Sequence, residues 1–274
     1  MPYGNHPELP VFVGEMPLDV HAPGCYTSQA EMKRYNRRNE QLADAAERSA
    51  VIADWMGAVP YPKEALNDAW KRFLWHQFHD DLTGTSIWEA YTYSWNDEFL
   101  AQGQFCDVIL ASAGAAASVM DTRAKGSPVL VYNPAAYSRR SLVEATVDLP
   151  AEAEGVAVYA PDGKTVPAQI VARDGARATV LFAAAMEPVS YAVYDVRAGK
   201  AGKGKVLRAS GNTLENRVYK VTLDANGDIA SVIDKRNGRD LVEKGRAFRL
   251  AVLTPNVSNR YPAWEIHKAT LDQT

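Results

Sequence analysis

The spacing of apolar residues changes once along this chain, at the Lys-Gly-Ser-Pro segment 125–128. Before this segment, apolar residues recur every three or four positions, which is typical of amphipathic helices; after it, they alternate with polar residues, which is typical of strands. Helices and strands that occupy separate parts of a chain are typical of an α+β architecture. The sequence therefore predicts an α+β multidomain chain, with a three-helix bundle followed by β-sandwich domains.

Three apolar stripes at helical spacing precede the change. Ser28 and Ser86 are candidate N-caps, and Glu31 and Glu89 follow each of them by three positions, as in a capping box. Short turns join the three segments, so they are expected to pack as an antiparallel bundle over residues 29–125. The predicted helices run from 28 to 57, from 63 to 82 and from 86 to 123.

Short alternating segments follow, separated by Pro, Gly and Asp-Gly turn signals. In the last part, Asn226-Gly227 and Asn237-Gly238 are hairpin turn signals. They predict a small β-sandwich over residues 128–200 and the start of a larger β-sandwich domain over 205–274. The helical part is preceded by a Pro- and Gly-rich irregular connector, residues 1–28, with one short strand near Val11–Val13. The predicted strands are 129–132, 142–149, 156–159, 166–172, 178–182, 190–196, 213–216, 218–223, 229–234 and 248–253.

Composition argues against several classes of partner. A net charge of −3 and a pI near 6.0 provide no positive field for nucleic acid. No apolar run approaches the ~20 residues that span a bilayer. No segment has the composition of a signal peptide, so the compartment stays open, with the cytoplasm favoured. Cys25 and Cys106 are too few for a disulfide framework and are expected to be reduced and structural.

Chemically versatile side chains concentrate near residue 80. His76, His79 and Asp80 have the spacing i, i+3 and i+4, which places them on one face of a continuous helix. Imidazole and carboxylate groups on one face could bind a single cation or a single sugar. The alternative is that these are solvated or hydrogen-bonded surface residues that bind no metal. The sequence alone leaves both interpretations open.

The segment from His76 to Ser86, His-Gln-Phe-His-Asp-Asp-Leu-Thr-Gly-Thr-Ser, resembles the signature of the glycoside hydrolase family 38 α-mannosidases. Further similarities lie at Leu9–Met16, Val131–Pro134, Leu214–Asn216 and Asp234–Arg239. The resemblance implies a zinc-dependent retaining enzyme that hydrolyses terminal α-linked mannose from glycans. By the same resemblance, His79 corresponds to a zinc ligand. Asp80 corresponds to an acid that binds sugar hydroxyls beside the metal.

The resemblance also implies parts that this sequence does not show. In the family, the nucleophile, the acid/base and the other zinc ligands lie on a catalytic barrel, so no catalytic residue is assigned to this chain. His79 and Asp81 form its only His-x-Asp, and residues two apart on a helix do not face each other. The chain alone is therefore expected to be inactive, with its own missing catalytic domain and an α-mannoside glycan as partners. The alternative is a non-catalytic carbohydrate-binding or interaction module.

Overall fold

A computed structural model describes residues 22–200, 207–249 and 261–266. Within these ranges, helices occupy the first part and antiparallel strands the second, which confirms the α+β class. The strand predicted near Val11–Val13 lies outside the described residues. The domain boundaries at 28, 125, 200 and 205 stay predictions. None of the described helices combines the length and apolar character needed to cross a membrane.

The helical part differs from prediction in its middle segment. A short 3-10 helix, Pro23–Tyr26, precedes the α-helices. The predicted continuous helix 63–82 is wrong, because it breaks after Trp75 and resumes at His79 as a separate short helix. Phe78 ends the break with ψ 141°, an extended conformation that no helix continues through. The helices are α1 (Ala30–Trp55), α2 (Lys63–Trp75), α3 (His79–Thr83) and α4 (Trp88–Val119).

The two predicted cap serines make tertiary contacts. The Ser28 hydroxyl donates to the Ala263 carbonyl at 2.6 Å. The Ser86 hydroxyl donates to the Asp81 carboxylate at 3.0 Å. Both serines thus connect a helix start to another segment, an arrangement that local sequence pattern does not reveal.

The chain divides into two compact units. We call the first the α3 unit. It contains the described residues within 22–40, 67–103 and 261–266, and its buried apolar residues include Met32, Phe73 and Tyr91. The second unit contains residues 41–66 and the described residues within 104–249, with the remaining parts of the long helices and all the described strands.

Two antiparallel sheets of the second unit enclose one apolar core. One has the strand order β1-β7-β3-β4 and the other β2-β6-β5. Phe182 and Tyr194 face each other across this core, with ring centroids 5.2 Å apart. The strands are β1 (Ser127–Asn133), β2 (Arg139–Asp148), β3 (Val156–Tyr159), β4 (Thr165–Val166), β5 (Ala168–Asp174), β6 (Arg177–Met186) and β7 (Ser190–Ala198).

A third antiparallel sheet has the order β12-β11-β10-β9-β8. Its Asn-Gly turns were predicted from sequence, and Gly227 and Gly238 there have φ values of 85° and 73°. Of the predicted strand 248–253, Phe248 forms a single bridge to Ile229, and residues 250–253 lie outside the described ranges. The strands are β8 (Arg208–Ser210), β9 (Thr213–Glu215), β10 (Tyr219–Leu223), β11 (Ile229–Asp234) and β12 (Arg239–Asp240).

Candidate functional site

The candidate site is built on α3, a helix of a single turn between α2 and α4. Asp80 and Asp81 lie in its first turn, where unpaired backbone N–H groups favour negative charge. The helix ends at Gly84, which has φ 83° and whose N–H reaches the carbonyls of Asp80 and Asp81. A Cβ atom on Gly84 would lie 2.4 Å from the Ser28 carbonyl oxygen, so only glycine fits this corner.

His79 and Asp80 face solvent at the start of this helix. The His79 side chain is 77% exposed and the Asp80 side chain 37%. His79 Nε2 lies 3.3 Å from Asp80 Oδ2, and the Phe78 ring centroid lies 4.1 Å from the imidazole. The other Asp80 oxygen, Oδ1, accepts a hydrogen bond from Thr85 at 2.7 Å. The two predicted site residues are therefore adjacent, accessible and partly oriented.

His76 lies in a different environment. Its ring is buried, with Nδ1 2.8 Å from Asp81 Oδ2 and Nε2 3.2 Å from Asp97 Oδ2. The predicted shared face of His76 with His79 and Asp80 is wrong, because the chain leaves the helix between residues 75 and 79. His76 is hydrogen-bonded, as the alternative interpretation expects, but it is buried and does not lie at the surface.

Asp81 is the centre of a buried polar cluster beneath His79 and Asp80. Besides His76, it accepts hydrogen bonds from Ser86 at 3.0 Å and from Ser94 at 3.1 Å. Tyr91 donates to the Asp80 carbonyl at 3.0 Å, and burial raises the pKa of its phenol, which keeps the donor protonated. Side chains of α4, together with the side chain of Ser86 just before it, thus hold α3 on its buried side.

A second group of polar contacts, one partly exposed and one buried, lies next to this cluster, and sequence reasoning missed it. Arg72 on α2 donates to Asp97 on α4 at 2.8 Å, and Asn39 on α1 donates to Glu98 on α4. One signal was present in the sequence: Asn39 falls at helical spacing from the buried Met32 and would be expected to be apolar. The partners lie on different helices, so their pairing has no sequence signature.

The donor set does not amount to a zinc site. Zinc in catalytic sites is held by three protein ligands. Across residues 22–200, 207–249 and 261–266, no group of three or more His, Cys, Asp or Glu side chains is arranged to hold a metal ion. His79 and Asp80 offer one imidazole and one carboxylate, which is fewer than the three protein ligands of a catalytic zinc site.

Large apolar side chains are exposed directly before and after α3. Trp75 is 75% exposed, Phe78 is 55% exposed, and Trp88 is 75% exposed. Exposed aromatic residues around polar groups are typical of a ligand or protein interaction surface. The surface that carries His79 and Asp80 is therefore framed by aromatic residues.

Comparison with known proteins gives one family. Residues 21–113 match the family described as "Alpha mannosidase middle domain". "Alpha-mannosidase 2C1" of Mus musculus is 26% identical over 266 residues, which is 94% of this chain and 23% of the relative. "Alpha-mannosidase" of Saccharomyces cerevisiae is 37% identical over 91 residues, 31% of this chain and 8% of the relative. The chain thus spans less than a quarter of the length of these curated relatives.

The fold agrees with this family. The crystal structure of an alpha-mannosidase from Enterococcus faecalis V583 superposes with a TM-score of 0.64 and 22% identity, over 79% of this chain and 29% of that chain. A glycosyl hydrolase family 38 protein from Enterococcus faecalis gives the same TM-score at 21% identity, over 79% of this chain and 30% of that chain. Residues 21–113 thus match the α-mannosidase middle domain, and these similarities support the resemblance to the α-mannosidases of glycoside hydrolase family 38 that the motif at residues 76–86 carries.

Proposed function

We propose that this chain forms part of a zinc-dependent retaining α-mannosidase that removes terminal α-linked mannose from glycans. The curated relatives are named α-mannosidases, and the chain spans 23% of the mouse relative. The activity is therefore proposed for a longer protein that contains this chain. The described residues contribute part of the substrate site, and the chemical step needs groups from outside them.

The observation that carries the proposal is the exposure of His79 beside Asp80 on a short helix that is anchored from below. A neutral imidazole is a common zinc ligand. The Asp80 carboxylate has one oxygen bound by Thr85, and its other oxygen lies beside His79 Nε2, so both side chains meet at the same exposed point. We assign His79 as one zinc ligand, with the others outside the described residues. We assign Asp80 as the acceptor for sugar hydroxyls.

Retention of configuration requires a second pair of groups. Two carboxyl groups about 5–5.5 Å apart must flank the anomeric carbon, one as nucleophile and one as acid/base. Neither role is assigned to a described residue. We therefore expect the isolated chain to leave an aryl α-mannoside unhydrolysed, with or without added zinc.

The assignment of His79 and Asp80 is tested in the longer protein. His79→Ala should lower the zinc content measured by elemental analysis and make turnover depend on added zinc. Asp80→Asn should lower kcat/KM for an aryl α-mannoside while the zinc content stays near that of the unchanged protein.

The exposed Glu89 on α4 offers a matched control, as Glu89→Gln removes a nearby carboxylate without touching the site. Full zinc content and full activity in both His79→Ala and Asp80→Asn would overturn the assignment.

The exposed tryptophans favour a second candidate, a carbohydrate-binding module that acts without catalysis. Indole rings stack on sugar faces, and Trp75 and Trp88 flank α3 with most of their surface in solvent. A titration of the isolated chain with methyl α-mannoside, followed by tryptophan fluorescence, separates the two candidates. Saturable binding that is lost in Trp75→Ala or Trp88→Ala would favour the module.

A further inference from the structure

The rotation of α3 about its own axis is set by Asp81. Successive residues on an α-helix point about 100° apart, so residues two positions apart face nearly opposite sides. Asp81 is buried, with 9% of its surface exposed, whereas the His79 side chain is 77% exposed. An inward Asp81 therefore turns His79 outward. Any change in the direction of Asp81 would rotate both His79 and Asp80.

Asp81 is held by three donors that all lie outside α3. His76, in the turn after α2, lies 2.8 Å from Oδ2, and Ser94 on α4 donates to the same oxygen at 3.1 Å. Ser86, in the turn before α4, donates to Oδ1 at 3.0 Å. The carboxylate is thus fixed in direction by three separate segments of the α3 unit.

His76 extends this anchor to a second acid. Its Nδ1 faces Asp81 and its Nε2 faces Asp97 at 3.2 Å, while Arg72 binds the other oxygen of Asp97. Both contacts are hydrogen bonds only when the ring carries a proton on each nitrogen. In that form, His76 links the end of α2 to α3 and to α4 through one rigid ring.

A helix of one turn does not hold its own shape. Isolated helices shorter than ~12–15 residues are marginal in water, because the nucleation cost is not recovered. α3 has five residues, His79–Thr83. Its orientation must therefore come from the anchors around it, of which His76 and Asp81 form the buried part.

We propose that His76 and Asp81 are positioning residues that orient His79 and Asp80 toward the substrate. This inference rests on the function proposed above for His79 and Asp80. His76 and Asp81 do not contact the substrate themselves. They act by holding α3 so that the imidazole and the carboxylate of its first two residues point outward together.

The structural half of the proposal is tested on this chain by amide hydrogen exchange. The amides of Asp81 and Leu82 donate to the Phe78 carbonyl, and those of Thr85 and Ser86 donate to the Asp80 carbonyl. His76→Ala and Asp81→Asn should each accelerate exchange at these four amides at least about tenfold, with the sandwich amides unchanged.

Asp68 lies exposed on α2, so Asp68→Asn serves as the matched control for removal of one carboxylate. Unchanged exchange at the four amides in both variants would overturn the proposal, whatever the function of His79 and Asp80.

The functional half is tested in the longer protein. A displacement of about 1 Å at a site can cost about 100-fold in rate, so His76→Ala and Asp81→Asn should lower kcat/KM by about that factor. Phe105→Leu is the control. It creates a cavity at a buried position of the second unit, so it should lower Tm without altering α3.

If Phe105→Leu lowers kcat/KM as much as His76→Ala does at equal loss of Tm, the role of His76 is only structural and positioning is overturned. If His79→Ala leaves kcat/KM unchanged, the proposed function of His79 is wrong. The claim that His76 and Asp81 support catalysis through His79 is then wrong as well. The exchange experiment then still decides whether His76 and Asp81 hold α3.

Discussion

The side-chain amide of Asn39 donates to both the backbone carbonyl and the carboxylate of Glu98, and both side chains are fully buried. Asn39 Oδ1 and Glu98 Oε1 have no hydrogen-bond partner among the described residues. Burial raises the pKa of Glu98 to about 7, against smaller opposing effects of Asn39 and His76, while Asp81 raises it further. A proton on Glu98 removes the buried charge and supplies the donor that the pair lacks.

This pair predicts that the chain loses stability as the pH rises through neutrality. The folded-state pKa of Glu98, about 7, lies above its usual 4.5, so the folded state retains a proton that the unfolded state releases. The stabilisation from this proton is full below pH 4.5 and declines as the pH rises to 7. The contribution of Glu98 to the free energy of unfolding should fall by about 3 kcal/mol between pH 4.5 and pH 7. Urea unfolding from pH 4 to pH 8 measures this change.

Glu98→Gln should flatten this pH profile, because an amide does not titrate in this range and can both donate to and accept from Asn39. Glu89→Gln, an exposed change on the same helix, should leave the profile as it is. Infrared spectra at pH 6 should show the carbonyl band of a neutral carboxylic acid that is absent in Glu98→Gln. Lack of that band would refute the prediction.

Gly84→Ala should destabilise the chain by about 2–4 kcal/mol, from the left-handed conformation and the contact with Ser28 together. Gly57 offers a matched control, since it also has positive φ, 69°, but a Cβ there meets nothing within 4 Å. The difference in unfolding free energy between Gly84→Ala and Gly57→Ala isolates the contact. Equal losses would show that the corner tolerates a side chain.

The second unit contains a hydrogen bond between α1 and β7. Ser49 Oγ lies 2.6 Å from the Tyr191 hydroxyl, and Ser49 is fully buried. Tyr191→Phe should cost about 1–2 kcal/mol in thermal unfolding, because the serine hydroxyl is left unpaired. Combination with Ser49→Ala should cost less than the sum of the single changes, whereas Tyr137→Phe, an exposed control, should cost little. Strict additivity of the two changes would contradict a direct bond.

His79→Ala should leave the stability of the isolated chain within about 0.5 kcal/mol, because the side chain is mostly in solvent. His76→Ala should destabilise it clearly, because removal of the ring takes one hydrogen-bond partner from the buried Asp81 carboxylate and one from the partly exposed Asp97. Thermal unfolding of the two variants side by side measures the contrast. Equal effects would mean that the two histidines do not differ in burial as described.

The sequence by itself determined the order of helices and strands, since each apolar period, near 3.6 or 2, is compatible with only one of them. It determined both Asn-Gly turns, because glycine tolerates positive φ. It also carried the family motif around His79 and Asp80, whose roles stay proposals. Such local patterns depend on neighbours in sequence and need no knowledge of the fold.

Only the tertiary structure decided the break at residues 76–78 and the separate positions of the two histidines. His76 lies in the turn after α2, and its two ring nitrogens contact Asp81 on α3 and Asp97 on α4. These partners allow the imidazole to be buried. The pairing of Asn39 with Glu98 spans 59 residues, and no periodicity encodes it. Buried polar groups find partners through packing between helices, and the partner of each such group is fixed only once the helices have their places.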